Sequence, residues 1–430
     1  MELELDSFAV DRIASGTETR LDGRTLWVDM AALERHARQD TRLSAVEVGA
    51  VHPGDSARIV HVVDAVEPRS RLEPAGPAFP GVTGPPIMAG HGRTVRLAGM
   101  SVVLAGLPPG AENPSFWQES VVDMTGPGAW ACPLSATANL VLTVRPNPAL
   151  AAEEGIAAMR LAVFRVAEYL AAAAAACDGA PATRERLALE SSRSGHPRVA
   201  TVVPLEAWGT LQRTFLYGHS VEGLLPTLLH PNEVLDGALT AGSHHLPAIR
   251  NSTYFFQNHG VVRELLRRHG TEVDFVGVVV GRAMWAADED KRRAAEFTAK
   301  LLHQLGVGGA VLGFAHGGHA VTDTALTAEA CERAGITVAT TMFEMAGEDG
   351  TDFGLVQRVP SAEPLVSTGN IDALLSLPPV DRVLGGSEVL GIGGHATSRH
   401  AGDAALLLPV RHVFAASAPS GNGRLAGAAG

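Results

Sequence analysis

The sequence predicts a mixed α/β protein with three parts. These are a β-rich N-terminal domain at 1–150, an α/β region with a parallel, Rossmann-like sheet at 151–415, and a flexible tail at 416–430. Two observations lead to this prediction. Short apolar or alternating runs separated by Gly/Pro clusters dominate the first part. In the second part, apolar strand-like runs alternate with helical stretches of about 10–15 residues, which is typical of parallel βαβ units.

The predicted elements follow in chain order. The N-terminal strands are TLWVDM, SAVEVGAV, ARIVHVV, SVVLAG and LVLTVRP. An Ala-rich helix is predicted at 151–177, followed by the strands RVATVVPL, DGALTAG, DFVGVVVG, GAVLGFA, ITVATTMFE and EPLVSTGN. Helices are predicted near 221–229, 259–269, 287–305 and 325–334.

Composition narrows the classes of function. The formal net charge is −12, which argues against nucleic acid or an anionic membrane as the main partner. The longest apolar stretch, 156–177, contains charged residues and is predicted to be an amphipathic helix rather than a membrane span. No signal peptide is visible, so we expect a cytoplasmic protein.

The lysines and cysteines argue against a lysine Schiff base and against a disulfide framework or CxxC site. Lys291 and Lys300 are the only lysines, and both fall in DEDKRRAAEFTAK, predicted as a solvated helix, which argues against a lysine Schiff base. Cys132, Cys177 and Cys331 are widely spaced, which gives no disulfide framework and no CxxC pair. Each cysteine is predicted to be a small buried hydrophobic residue.

Polar side chains concentrate in the loops after the predicted strands, where ligands gather in open parallel sheets. Four histidines fall in two of these loops: the pair His244 and His245, and His316 and His319 in the sequence HGGH. Together they could bind Zn²⁺ or another divalent metal. Alternatively, they line a polar cleft as hydrogen-bond donors or include a general acid or base. Asp323 and Glu344 are candidate oxygen ligands.

The segment 242–258, GSHHLPAIRNSTYFFQN, combines Arg250 with a dense set of neutral polar groups. Such groups suit a small polar substrate held by several hydrogen bonds. The alternative is helix capping by Asn251 and Ser252, and both interpretations can hold together. The neutral polar residues are Asn251, Ser252, Thr253, Tyr254, Gln257 and Asn258. No GxGxxG pattern with a trailing acidic residue follows HGGH, and the GxxxxGK[ST] pattern is absent, which argues against nucleotide binding. The GxSxG pattern of serine hydrolases is also absent.

At this segment the sequence resembles a known family, the proprotein subunit of component B of the glycine, sarcosine and betaine reductases. The D-proline reductase proprotein is a more distant relative. The resemblance runs through VEPRSRLEPAG, GHGRTVRLAGMSVVLAG, ESVVDMTGPGA, YGHSVEGLLPTLLHPNEVLDGAL, NSTYFFQN and LPPVDRVLGG. It implies a chain that cleaves itself at a cysteine to form a pyruvoyl group, whose ketone binds the substrate amine as a Schiff base. It also implies a partner subunit whose selenocysteine attacks the activated substrate.

This chain departs from the family pattern at the precursor cysteine. By the spacing from DGAL to NSTYFFQN, His244 occupies that position, and Ala248 replaces a second family cysteine. A pyruvoyl group derived from cysteine is therefore excluded. Ser243, preceded by Gly242, could still yield a serine-derived pyruvoyl group, because other pyruvoyl enzymes mature at serine.

Three hypotheses follow. In the first, the chain is the substrate-binding subunit of a component-B-like enzyme with a thiol- or selenol-bearing partner. It acts on a small amine-type or specialised metabolite, with His244 and His245 as acid catalysts, with or without a metal, and Asn251, Tyr254 and Asn258 positioning the substrate. In the second, the chain is a stand-alone lyase, hydrolase or bond-forming metalloenzyme with a metal on the four histidines. In the third, it is a non-catalytic homologue that binds its partner. In each case we expect an oligomer, as the resemblance implies.

Overall fold

The computed structural model describes residues 1–111, 117–176, 181–190, 195–208, 212–242, 246–352, 364–392 and 398–423. The strands of the N-terminal part are β1 (Glu2–Ala9), β2 (Arg12–Ser15), β3 (Arg20–Asp22), β4 (Thr25–Val28), β5 (Leu43–Val51), β6 (Ala57–Ile59), β7 (Val62–Val66), β8 (Arg69–Glu73), β9 (Ala75–Gly76), β10 (Gly92–Ala98), β11 (Met100–Ala105), β12 (Val122–Asp123) and β13 (Ala138–Pro146).

The later strands are β14 (Thr183–Ala188), β15 (Arg198–Trp208), β16 (Gln212–Arg213), β17 (Phe215–Leu216), β18 (His219–Ser220), β19 (Thr227–Leu229), β20 (Leu239–Thr240), β21 (Asp274–Ala283), β22 (Gly309–Leu312), β23 (Thr337–Glu344), β24 (Leu365–Asn370), β25 (Leu374–Leu377), β26 (Arg382–Leu384), β27 (Glu388–Leu390), β28 (Arg399–Ala401) and β29 (Leu406–Pro409). The helices are α1 (Met30–Ala37), α2 (Gly126–Ala131), α3 (Ala152–Ala175), α4 (Pro231–Leu235), α5 (Thr253–Gln257), α6 (Gly260–Arg268), α7 (Asp288–Gln304) and α8 (His319–Arg333). Single 3₁₀ turns lie at Pro133–Ala136, Val221–Gly223, Pro247–Ile249 and Val410–His412.

The N-terminal part is β-rich, as predicted. Its two larger sheets have the strand orders β14-β1-β10-β8-β9 and β5-β13-β11-β7. The long helix α3 packs on both sheets, and its buried face joins a shared hydrophobic core. Alanine favours helix intrinsically, and Glu153 and Glu154 in the first turn complement the helix dipole. This packing connects the two predicted regions across residue 150.

The second part is built on a seven-stranded sheet with the order β19-β21-β15-β22-β23-β24, in which β16 pairs with β15 outside this path. Strands β21, β15, β22, β23 and β24 are parallel to one another, whereas β19 and β16 pair antiparallel with β21 and β15. Numbered along the chain, these five strands lie in the order 2-1-3-4-5, so the direction of winding reverses between β15 and β22. The mixed α/β class is confirmed. The order differs from the six-stranded 3-2-1-4-5-6 order of dinucleotide-binding folds, so the predicted Rossmann-like arrangement is not confirmed.

Two predicted elements near residue 230 are wrong. Residues 221–229, predicted as helix, form a 3₁₀ turn and the antiparallel strand β19, because Pro226 interrupts any helix there. The run DGALTAG, predicted as a strand of the main sheet, contributes only β20, which pairs with β17 in a separate small sheet. The polar segment that follows β20 is therefore not the direct continuation of a strand of the main sheet.

Two predictions of solvent exposure also differ from the structure. Lys291 is buried, because it lies on the same face of α7 as Ala295, Thr298 and Leu302, which pack against the sheet. Residues 416–420, predicted as part of a flexible tail, pack into the core, and Ser417 is fully buried. Residues 424–430 lie outside the described part. Within the described residues, no helix combines the length and apolarity needed to cross a membrane.

Candidate functional site

A cavity lies at the carboxyl edge of the parallel sheet, where the winding reverses between β15 and β22. It has two small adjoining lobes, which share Pro204, Asn251, Phe314 and Pro419. We call these two lobes the switch-point cavity. In open α/β sheets this is the position at which ligands bind.

Three parts of the chain supply polar groups to the cavity walls. Glu206 comes from the carboxyl end of β15 and Thr214 from the hairpin that follows. Thr341 comes from the neighbouring strand β23. His259 comes from the N-terminal end of α6, outside the sheet. The walls of the two lobes thus combine apolar side chains with a few polar groups, Thr341 and His259 in one lobe and Glu206 and Thr214 in the other.

The polar segment 250–258 both shapes the protein and lines the cavity. Ser252 caps helix α5, as the capping interpretation expected. Thr253 donates its backbone N–H and its hydroxyl to Asp64, at 2.9 and 2.6 Å, which ties the segment to the N-terminal sheets. Asn251 lines both lobes, and its Oδ1 accepts a hydrogen bond from Ser420 N at 3.0 Å.

Asp64 is a buried carboxyl group behind this segment. Burial raises its pKa to about 6, although hydrogen bonds from Thr253 and Ala65 and the positive charge of Arg160 favour the ionised form. Arg160 itself donates to Ala241 O and to Thr240 Oγ1. Arg160 therefore holds Thr240 and Ala241, which lie shortly before position 243.

Tyr254 and Asn258, predicted to position the substrate, lie together at α5. Asn258 donates through Nδ2 to Tyr254 O at 3.1 Å, and its Oδ1 accepts from Arg96 at 3.3 Å. Burial raises the pKa of the Tyr254 phenol. Neither residue lines the described walls of the switch-point cavity, whereas Asn251 does.

The HGGH sequence separates two imidazoles with different environments. His316 is buried, and its Nδ1 donates to Gly317 O at 3.1 Å. Burial, together with the positive charge of Arg250, lowers its pKa to about 4, so the imidazole is neutral at pH 7. His319 is exposed as the first residue of α8.

The predicted metal site cannot be assembled from the described residues. They contain no group of three or more His, Cys, Asp and Glu side chains arranged to hold a metal ion. Asp323 is instead paired with Lys291 at 2.7 Å. Ser243, His244 and His245 lie outside the described residues. The four-histidine metal set, the serine-derived pyruvoyl group and the catalytic histidine pair therefore stay predictions.

Two of the residues described here were missed as site residues by sequence reasoning. His259 lines one lobe, and its Nδ1 accepts from Val262 N, which leaves the ring proton on Nε2. Burial lowers its pKa to about 4. Its position before a helix is a capping signal. Glu206 gave no signal, because it lies in an otherwise ordinary strand.

Arg250 is the most unusual charged residue near the cavity. Its side chain is buried, and none of its three guanidinium nitrogens has a hydrogen-bond partner among the described residues. Burial lowers its pKa to about 10, against the favourable charges of Glu206 and Asp64. Glu206 lines the cavity, and His316, whose pKa is affected by Arg250, follows the cavity residue Ala315.

The described cysteines are inert, as predicted. Cys132 and Cys331 are fully buried, and burial raises their pKa values to about 11 and 12. Cys132 caps the end of α2 and Cys331 lies within α8. Cys177 lies outside the described residues.

The chain matches, over residues 1–426, the family model described as glycine/sarcosine/betaine reductase component B subunits. It is 31% identical over 390 residues to the glycine reductase complex component B subunits alpha and beta of Acetoanaerobium sticklandii, covering 90% of this chain and 89% of that protein.

Two further relatives come from Peptoclostridium acidaminophilum. The sarcosine reductase complex component B subunit alpha is 32% identical over 392 residues, which is 90% of this chain and 89% of that protein. The betaine reductase complex component B subunit alpha is 33% identical over 408 residues, or 92% and 90%. No solved structure matches the chain. The resemblance noted in the sequence is therefore confirmed, and the chain belongs to the family of glycine/sarcosine/betaine reductase component B subunits.

Proposed function

We propose that the chain is the substrate-binding subunit of a two-subunit, component-B-like enzyme that acts on a small polar amine-type molecule without a cysteine-derived pyruvoyl group. The observation that carries the proposal is the combination of family membership with His244 at the position of the precursor cysteine. A histidine cannot undergo the acyl shift to sulfur and the β-elimination that produce the ketone. In this proposal another means of activating the substrate replaces amine capture.

The proposed binding site is the switch-point cavity. Asn251 offers its amide to the substrate, and His259 offers a neutral Nε2–H donor. His259 and His316, each with a pKa of about 4, are neutral at pH 7 and cannot act there as imidazolium acids. We therefore assign the acid role to His244 and His245, which protonate or polarise the leaving group.

The proposed partner is a subunit that carries a thiol or selenol. Its anion attacks the carbon that bears the amine, as a low-pKa chalcogen nucleophile does, so that a C–S or C–Se bond forms while the C–N bond breaks and the amine leaves with a proton from the acid. The relatives are described as component B subunits of reductase complexes, which supports a multi-subunit assembly. The described thiols of this chain, with raised pKa values, are poorly suited to supply that nucleophile themselves.

The test is reconstitution with the component-B-like protein encoded beside this chain. The mixed proteins are expected to co-elute on a sizing column and to consume a thiol reductant together with an amine substrate. His244→Ala should abolish turnover but leave co-elution intact, and His319→Ala, at an exposed position, serves as the matched histidine control. Absence of a complex, or full turnover by His244→Ala, would contradict the proposal.

A further inference from the structure

Lys291 belongs to a buried ion pair that differs chemically from the other buried pairs of the described chain. Its Nζ donates to Asp323 Oδ1 at 2.7 Å and to His319 O at 3.1 Å. It is one of only two lysines among 34 Lys and Arg residues. A guanidinium keeps its proton, whereas a lysine amine can lose its proton and become a nucleophile. The buried pairs that use arginine are Arg58–Asp123, Arg69–Glu67 and Arg71–Asp236.

Lys291 and Asp323 both line a second cavity, which we call the α7–α8 cavity. Its walls come from strands β15, β21 and β22 and from helices α7 and α8. Ala294 and Thr298 lie on the same face of α7 as Lys291 and line the cavity with it. The side chains of the pair keep 6% and 11% exposure, whereas those of the Arg58–Asp123 pair are at 0%. The lysine pair is therefore the more accessible of the two.

The rest of the cavity wall is largely apolar, and its donors already have protein acceptors. The indole Nε1 of Trp285 donates to Arg282 O at 2.9 Å. Three threonine hydroxyls in the wall donate to backbone carbonyls of their own helices, and they belong to Thr298, Thr324 and Thr327. The apolar residues include Val202, Pro204, Pro226 and Leu312. Such walls suit a ligand with an apolar body and one polar group that reacts with the amine of Lys291.

Asp323 is held in place from its other side. Its Oδ2 accepts a hydrogen bond from the backbone N–H of Met284, a non-glycine residue with a φ of +66°. This left-handed conformation is uncommon for such a side chain, and strained backbone of this kind is concentrated at functional sites. Burial raises the pKa of Asp323, although Lys291 lowers it. The carboxylate is therefore a stronger base than an exposed one and lies within reach of the lysine proton.

We propose that Lys291 captures a small aldehyde in the α7–α8 cavity as a Schiff base, with Asp323 transferring the protons. Asp323 takes a proton from the ammonium group, and the free amine forms an N–C bond to the aldehyde while the carbonyl oxygen receives that proton. Asp323 then removes a second proton from nitrogen and passes it to the hydroxyl group, which leaves as water. The product is a protonated imine paired with the Asp323 carboxylate, and no oxidant or reductant is consumed.

This proposal goes beyond the proposed function, because it concerns a second cavity and a carbonyl ligand rather than an amine. The sequence argued against a lysine Schiff base only because both lysines were expected on a solvated helix. Lys300 is exposed as expected, but Lys291 is buried in a cavity wall beside a carboxylate. The reason for excluding a lysine Schiff base therefore does not apply to Lys291.

The experiment traps the imine on the intact chain alone. The probe is butanal with sodium cyanoborohydride, which reduces the imine to a stable secondary amine, and peptide mass spectrometry quantifies butyl groups at each lysine. Wild type is expected to react at Lys291 about tenfold faster than at Lys300, with a rate that saturates as the butanal concentration rises, because the cavity holds the aldehyde beside the amine. A buried lysine with a purely structural role would react more slowly than the exposed Lys300.

Ala294→Leu fills the cavity from α7 and leaves the ion pair in place, so it should lower the rate at Lys291 to that of Lys300 or below. Lys300→Met, at an exposed position, is the control and should leave labelling of Lys291 unchanged. Labelling of Lys291 no faster than that of Lys300, a rate that stays linear in butanal, or equal labelling of Lys291 in wild type and Ala294→Leu would each overturn the proposal.

Circular dichroism of each variant establishes that it is folded. The comparison of the two lysines within wild type keeps the test decisive if Ala294→Leu does not fold. The experiment requires no partner and no turnover. Its failure therefore leaves the proposed function standing, and failure to form the two-subunit complex leaves the aldehyde site standing.

Discussion

Replacing Arg250 by methionine is expected to stabilise the ligand-free protein, although the residue is fully buried. Burial lowers the pKa of Arg250 from 12.5 to about 10. At about 1.36 kcal/mol per pKa unit, holding the charge in this site costs about 3 kcal/mol. Methionine fills much of the same volume without a charge and forfeits no hydrogen bond of the described structure. We expect Arg250→Met to raise the unfolding free energy by up to about 3 kcal/mol, less any loss from imperfect packing.

The matched comparison is Arg58→Met. Arg58 is as deeply buried, but removing it leaves Asp123 uncompensated in the core, with three backbone carbonyls also unpaired. Loss of one member of a buried ion pair typically costs about 3–5 kcal/mol. The two substitutions are chemically identical and are expected to change stability in opposite directions.

Urea denaturation at pH 7.5, followed by tryptophan fluorescence, measures both variants against wild type under one condition. Arg250→Met losing as much stability as Arg58→Met would refute the reasoning, since it would mean that the guanidinium has a structural partner.

Three further outcomes follow from the structure. Asp64 has a pKa raised by burial from 3.8 to about 6, so the native state binds its proton more tightly. Stability should fall as pH rises from about 4 to about 6, and Asp64→Asn should remove about 3 kcal/mol of that fall in urea titrations across this range. Lys291→Met should cost about 3–5 kcal/mol by leaving Asp323 buried without its partner, whereas Lys300→Met at an exposed position should change stability by less than about 0.5 kcal/mol. Elemental analysis of the purified chain should find well under one Zn²⁺ or other divalent metal per chain if the two-subunit proposal holds, and about one if the four histidines bind a metal.

The parts of the fold that the sequence predicted correctly depend on local periodicity. Strands β15, β21, β22 and β23 read as continuous apolar runs because both faces of a parallel sheet are covered. Helix α7 was also placed to within a residue. The concentration of polar residues after strands indicated the edge of the sheet at which the cavity lies.

The errors arose where tertiary contacts override composition. Lys291 lies in a strongly charged run, but helical geometry turns this position toward the sheet. There its ammonium group forms an ion pair with Asp323. Ser417 follows an ordinary small-residue pattern typical of tails but is packed in the core. The lack of a hydrogen-bond acceptor for Arg250 among the described residues could not be predicted from the sequence either, because it depends on all the residues that surround the side chain in space.

The central claim is that this chain binds its substrate without a carbonyl prosthetic group. Denaturing mass spectrometry of the purified protein, before and after borohydride treatment with ¹³C-glycine, tests it most directly. We expect one unmodified species at 44.8 kDa under both conditions. Fragments of 242 and 188 residues, with ¹³C-glycine covalently attached to the fragment that begins at Ser243, would contradict the claim, because they would reveal a serine-derived pyruvoyl group.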